Sequence, residues 1–451
     1  MTTIYCSRWV LPISSPVIED GGVAVEGSRI LAVGPRASLA AQFSAARVRD
    51  FAEAVILPGF VNCHSHLELT AMRGFLEDEE GDFKAWLIKL TTARGERMTE
   101  ECLYVSALWG AVEAARAGVT CVGDASSAAL ASMQALRQLG LRGIVYQESF
   151  GPDPRMAQEK FAELRAQVAR LREHENERVR AGVSPHAPYS VSGPQIELIA
   201  EFALAENLPV MMHAAESEAE SLFMREGRGP FAENHARRGI EWHAPGIQTV
   251  QYLARHGLLR TRPLLAHCIR VDEADIQTLK ETDTRIAHCP KSNAKLGHGH
   301  APLAAFIRHG LKVGLGSDSV ASNNLCDLLE EARFAVLMSR VCEGGVDHEM
   351  LRPADALEAA TLGGARALGL EGHTGALAEG LQADLTVIAL KGAHQLPLHH
   401  LEAALVFSSA GRDVLLTVVA GQEIYDDGRI LTVDEEDLRE RVRKVGKNLR
   451  F

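Results

Sequence analysis

His64 and His66 are the first residues in the chain whose types and spacing could do chemistry. They end an apolar run, Leu57-Pro-Gly-Phe-Val-Asn-Cys-His-Ser-His. In a strand, side chains at i and i+2 point to the same face, so two imidazoles at a strand end could bind one divalent metal ion. The pair alone is thin evidence. What decides is whether other apolar runs end in ligands too, and they do. His186 sits in Pro185-His-Ala-Pro-Tyr and His213 ends Val210-Met-Met-His. His267 ends Leu264-Leu-Ala-His, His288 ends Ile286-Ala-His, and Asp318 follows Val313-Gly-Leu-Gly-Ser.

This pattern predicts a convergent metal site with His64, His66, His213 and Asp318 as ligands. Zinc accepts imidazole nitrogen and carboxylate oxygen, and a remaining position would hold water. Bound zinc lowers the pKa of that water to about 7, giving hydroxide at neutral pH. Ferrous iron has overlapping preferences, so one ion of zinc or iron fits. A bridged pair of metals is not expected, because no Lys ends the fourth or fifth run to serve as a bridging carbamate. Glu216, following His213, is expected to shuttle a proton from water to a substrate ring nitrogen. His267 is expected to orient the attacking water and, with Asp318, to help deprotonate it. His186 is expected to contact substrate near the leaving group, while His288 and Asn293 support the ligands from behind.

Such side chains converge only if their strands share one open end. Eight apolar runs ending in polar residues, separated by helix-like segments, span residues 56–365. The helix-like segments include residues 100–117, 156–173, 194–207 and 324–339. Eight strand-plus-helix units over roughly this length suit an α/β fold of the (β/α)₈ TIM-type barrel class, whose strand C-termini face one opening. Residues 67–98 and 217–246 form the two longest connections, each with a Trp (Trp86, Trp242), and are expected to shape a substrate pocket or lid. Residues 1–55 and 366–451 read as short strands with Gly-marked turns, including a hairpin at Asp427-Gly428. They are expected to form one composite β-sandwich domain around the barrel domain of 56–365. Thr432-Val-Asp-Glu435 reads as a capping box opening a charged terminal helix with a solvated face.

The bulk numbers exclude some classes of partner. A formal charge of −12 with no basic run argues against nucleic acid. No apolar stretch is long enough to span a membrane, and the N-terminus lacks a signal-peptide pattern. The partners expected are a small-molecule substrate and water. Eight scattered cysteines without a Cys-x-x-Cys pair read as reduced, buried thiols of a cytoplasmic protein.

The joint motifs are His64-x-His66, Pro185-His-Ala-Pro-Tyr, His213-x-x-Glu216, His267-Cys, His288-Cys-Pro-x-Ser-Asn293 and Gly316-Ser-Asp318-Ser. With them, nearly the whole chain resembles the amidohydrolase superfamily. The branch it resembles most contains methylthioadenosine/S-adenosylhomocysteine deaminases and triazine hydrolases. The resemblance implies a composite β-sandwich, a barrel with one zinc or iron ion, and hydrolytic removal of a leaving group from a heteroaromatic carbon. Members are often homo-oligomers. Relatives acting on adenosyl compounds follow the counterpart of Trp86 with a Glu that holds ribose hydroxyls. That place is Gly95 here, with Glu96 one step on, so Trp86 and Glu96 become candidate substrate contacts. An Arg that grips the carboxylate of S-adenosylhomocysteine would fall near Tyr146-Gln147, where Gln147 stands instead. The chemistry therefore carries over better than the adenosyl substrate. The expectation is deamination of an amino-substituted N-heteroaromatic ring: adenosine, methylthioadenosine, an S-adenosylhomocysteine-like compound or 6-aminodeoxyfutalosine. Dehalogenation or dealkylamination of a triazine is the enzymatic alternative, and an inactive barrel kept as a scaffold is the alternative of another class.

Overall fold

The computed structural model describes residues 1–343 and 350–450. Eight parallel strands form the centre: Phe60–Ser65, Val119–Ser126, Arg142–Ser149, Val179–Pro185, Met211–Ala214, Leu264–His267, Arg285–His288 and Val313–Leu315. Each coincides with one of the apolar runs. They pair in sequence as two four-stranded sheets. Bridges between Val183 and Val210 and between Ser65 and Asp318 join the two sheets into a ring. The second closure depends on the Asp318 amide, which donates to the His64 carbonyl (2.9 Å). The bond that shuts the barrel thus holds two expected metal ligands in register.

Alternate residues fill the barrel, among them Val61, Cys63, Cys121, Ile144, Tyr146, Met211 and Leu264. Ala365, Ala367 and Leu368, on helix Leu362–Leu368, join that cluster and plug one end of the ring. The expected boundary at 365/366 cuts through this helix, which belongs with the barrel by its packing. The helices Glu100–Arg116, Ala157–Arg172 and Gly193–Glu206 lie where the apolar periodicity put them. The segment read as one helix over 324–339 is divided. Asn324 is left-handed (φ 74°) and ends a short turn, and Asp327 caps the true helix, Leu328–Cys342.

Strands from both ends of the chain share one nine-stranded sheet. Leu385–Ala389 lies antiparallel to Ala54–Pro58, with Val387 opposite Ile56. Thr3–Val10 forks the sheet: its first half pairs with Arg47–Asp50, and Trp9 and Val10 pair with Val55 and Ile56. Alternation sends Tyr5, Val23, Ile56, Val387 and Leu416 to one face. Val55, Leu57, Ile388 and Val419 go to the other, against the barrel. The Asp427-Gly428 turn has both residues at positive φ (38° and 90°) between paired Asp426 and Arg429, the hairpin the sequence implies.

The terminal helix Glu435–Arg450 forms, but with a different cap. Asp434 accepts from the Glu436 and Asp437 amides (both 3.1 Å), while the Thr432 hydroxyl donates to Leu139 O (2.8 Å). The helix is not solvated all round: Leu438, Val445 and Leu449 are buried, and Arg116 pairs with Glu435 (2.7 Å).

One buried ion pair ties sheet to barrel. Arg142 Nε meets Asp384 Oδ2 (2.7 Å), with side chains 7% and 0% exposed. Asp384 Oδ1 also accepts from the Ala420 amide (2.7 Å). Removing one partner strands a buried charge, which typically costs about 3–5 kcal/mol. Arg142→Met is therefore expected to lower the urea midpoint strongly, and Arg142→Met with Asp384→Asn to recover much of that loss. Equal midpoints for the single and double variants would contradict this account.

Candidate active site

The expected ligands do converge. His66 Nε2 lies 3.2 Å from His213 Nε2 and 3.6 Å from Asp318 Oδ1. His64 Nε2 lies 3.3 Å from the same oxygen. Neighbours orient each group. His213 Nδ1 donates to the His186 carbonyl (2.9 Å), which leaves its Nε2 lone pair free. Asp318 Oδ2 accepts from Ser292 Oγ (2.6 Å) and Ser322 Oγ (3.0 Å), leaving Oδ1 toward the histidines. Gly316 is required here, because a Cβ would come within 2.8 Å of His64 Cβ. His267 and Asp318 both sit in the left-handed region (φ 72° and 56°), a strained placement of the kind that gathers at functional sites.

Burial and crowding of imidazoles push the His66 and His186 pKa values down to about 3 and hold His213 well below its usual range. These rings are neutral and can offer lone pairs. Burial alone would raise Asp318, but the His64 ring, followed by His267 and His66, holds it well below the usual carboxylate range. Among the described residues His64 Nε2 is buried with no hydrogen-bond partner. An orphaned ring nitrogen among two neutral imidazoles and an ionised carboxylate is the donor set of a single divalent metal; ligand atoms of His64, His66 and His213 lie within 4.8 Å of one another, as do those of His64, His267 and Asp318.

Glu216 is 5% exposed and lies 3.8 Å from His267 Nε2. Burial, then the Asp318 and Glu220 charges, push its carboxyl well above the usual range. Glu220 grips the loop beneath it, accepting from the amides of Ala215 (2.8 Å) and Glu216 (3.0 Å). His267 Nδ1 donates to Asn293 Oδ1 (2.9 Å). His186 Nδ1 meets Ser190 Oγ (2.7 Å).

These groups open into a cavity of about 710 Å³. Both long connections wall it, and both are helical: Phe83–Arg97 in one, Glu218–Glu226 and Pro230–Arg237 in the other. Phe83, Trp86, Leu90 and Arg94 line it along one helix face, with Phe231 and Asn234 across the way. Gln147 and His186 also line it. Trp242 stacks on Phe223 instead (4.1 Å).

Two expected residues stand apart. Glu96 is exposed, on the helix face turned from the cavity, so it is withdrawn as a substrate contact. His288 is fully buried, but neither ring nitrogen makes a hydrogen bond among the described residues, so it braces no ligand by that route. Other residues were missed. Glu68 and Glu148 line the cavity, and His298 Nε2 lies 3.7 Å from Glu216. Glu148 carried a signal, since it ends the third strand as His213 ends the fifth. The cysteines are all free, and burial raises Cys63, Cys268 and Cys289, which rules them in as inert packing.

Residues 55–424 match the amidohydrolase family. The chain is 32% identical over 437 residues to a 5-methylthioadenosine/S-adenosylhomocysteine deaminase of Pelotomaculum thermopropionicum, covering 96% of each. The chain belongs to the amidohydrolase family. Residues 21–43 match a bacterial imidazolonepropionase-like composite domain, in keeping with the shared terminal sheet. An adenosine deaminase from Xanthomonas campestris with bound zinc superposes with a TM-score of 0.86 at 26% identity, over 99% of this chain and 98% of that one. The atrazine chlorohydrolase of Arthrobacter aurescens TC1, complexed with zinc, superposes with a TM-score of 0.86 at 22% identity, over 98% and 100%. The latter likeness is one of fold.

Proposed function

We propose that this amidohydrolase is a metal-dependent deaminase of a purine nucleoside-type substrate, with zinc as its metal. The observation that carries the reading is the convergence of neutral imidazoles and ionised Asp318 beside the buried Glu216 carboxyl, on the floor of one cavity. The name of the Pelotomaculum relative supports the substrate class. His64, His66, His213 and Asp318 would hold the ion. When bound, such an ion supplies an activated water whose pKa is lowered to about 7.

The chain's own residues do the rest. His267, fixed by Asn293, orients the attacking oxygen through Nε2. Glu216 takes a proton from the water and delivers it to the ring nitrogen beside the amino-bearing carbon, which makes that carbon electrophilic. Asp318 accepts the second proton and passes it to the departing amine, so that water and aminated ring become oxygenated ring and ammonia. No helix among the described residues is long and apolar enough to cross a membrane, and free thiols throughout support a cytoplasmic setting.

The zinc-loaded protein, given adenosine, methylthioadenosine and S-adenosylhomocysteine, is expected to release ammonia from at least one. Chloride from a chlorotriazine, with no ammonia from any of the three, would overturn the reading.

A further inference from the structure

The loop of Glu216 is pinned through its backbone, but its carboxyl is not. Among the described residues that carboxyl accepts no hydrogen bond. The terminal torsion of a glutamate is broad, so an unheld carboxyl turns easily. Only one of its two oxygens can face a ring nitrogen of the substrate at a time.

Two imidazole nitrogens face the same oxygen, Oε1: His267 Nε2 at 3.8 Å and His298 Nε2 at 3.7 Å. They are not equivalent. His267 Nδ1 donates to Asn293 Oδ1, so its neutral ring keeps a lone pair rather than a proton on Nε2. His298 Nε2 is buried and has no hydrogen-bond partner among the described residues. Burial, then His267, pushes this ring down to about 4, so it is neutral too. Facing a carboxylate oxygen, Nε2 is the nitrogen that carries its proton.

The fold holds His298 in place. Gly297 and Gly299, at positive φ (67° and 108°), turn the chain on either side of it. The His298 amide donates to the Asn293 carbonyl (2.9 Å), and its own carbonyl accepts from Arg270 Nη2 (3.2 Å). The Arg270 amide in turn donates to the carbonyl of Ala215 (2.8 Å), which precedes Glu216. The His298 ring meets Phe83 edge-on at 4.6 Å, and Phe83 also lines the cavity. An N–H···O bond spans about 2.7–3.2 Å, so a shift of about 0.5–1 Å closes the gap to Oε1. Catalytic hydrogen bonds often tighten in this way only when substrate is bound.

We propose that His298 is a positioning residue for Glu216: its Nε2–H holds Oε1, which leaves Oε2 to carry the proton from water to the ring nitrogen. The inference rests on the deaminase reading.

The test compares two variants. His298→Phe keeps a ring against Phe83 but lacks the N–H, whereas His298→Gln places an amide N–H near the position of Nε2. Ammonia release by the zinc-loaded proteins is measured with adenosine, methylthioadenosine and S-adenosylhomocysteine, alongside zinc content. His298→Phe is expected to lower kcat by ~10–100-fold, the usual worth of a hydrogen bond to a charged group. KM and zinc content should stay as in the wild type. His298→Gln is expected to recover most of the loss. Because His298 acts through Glu216, adding His298→Phe to Glu216→Gln is expected to cost nothing further. Wild-type kcat in His298→Phe, equal losses in the two single variants, or a full further loss in the double variant overturns the assignment and leaves the deaminase reading standing. No ammonia from the wild type with any of the three compounds overturns both. If His298→Phe is unfolded by circular dichroism, His298→Leu carries the same comparison.

Discussion

Glu216→Gln is expected to bind its metal as the wild type does and to lose ~10²–10⁴-fold in kcat, the usual contribution of a positioned general acid–base. The substitution keeps the shape of the side chain and an amide that can still hydrogen-bond. What it removes is the ability to take a proton from water and release it to a ring nitrogen. The surroundings explain why the loss should be large. Glu216 is buried, and its carboxyl is pushed up by burial and by Asp318 and Glu220. Its loop is pinned by the two amide bonds to Glu220. His298, 3.7 Å away, is itself pushed down to about 4 by burial. Metal analysis and steady-state turnover on the same preparation check this. If the variant loses zinc in proportion to activity, Glu216 is a ligand and the division of roles is wrong.

His213→Ala is expected to have an effect at least as large, by another route. It removes the nitrogen that faces His66 Nε2 at 3.2 Å. It also frees the His186 carbonyl from its bond to His213 Nδ1. Losing a supporting partner of a ligand typically costs 10–100-fold in metal affinity. Losing the ligand itself should exceed about 100-fold, seen as metal surrendered to a competing chelator. Chelation should silence the wild type, and added zinc should restore it, whereas the variant should stay inactive at the same zinc concentration. A variant that keeps stoichiometric zinc and turnover would remove His213 from the ligand set.

Much of this site was legible in the sequence because its signals are local. His64 and His66 share a face by strand geometry alone, and the eight apolar runs announced the barrel by their order. The Asp427-Gly428 hairpin followed from backbone preference. Where the reading slipped, a competing contact had won. Thr432 looked like a cap but gives its hydroxyl to Leu139, so Asp434 caps instead. Glu96 looked like a substrate contact, but helix Phe83–Arg97 turns Trp86, Leu90 and Arg94 toward the cavity and leaves Glu96 outside. A phase difference of one or two residues decides that, and spacing alone does not fix the phase.

The sequence by itself determined the fold class, the ordered set of strand-end imidazoles and carboxylates, and hence the kind of chemistry on offer. Only the tertiary structure decided which of those groups meet. The ring closes through the Asp318 amide on the His64 carbonyl, and Ser292 and Ser322 aim the Asp318 carboxylate. Glu68, Glu148 and Arg94, distant in the chain, come to share one wall. The reason is physical: ligand type and strand periodicity are properties of a few adjacent residues, whereas register, helix phase and unsatisfied hydrogen bonds arise only when separate elements pack.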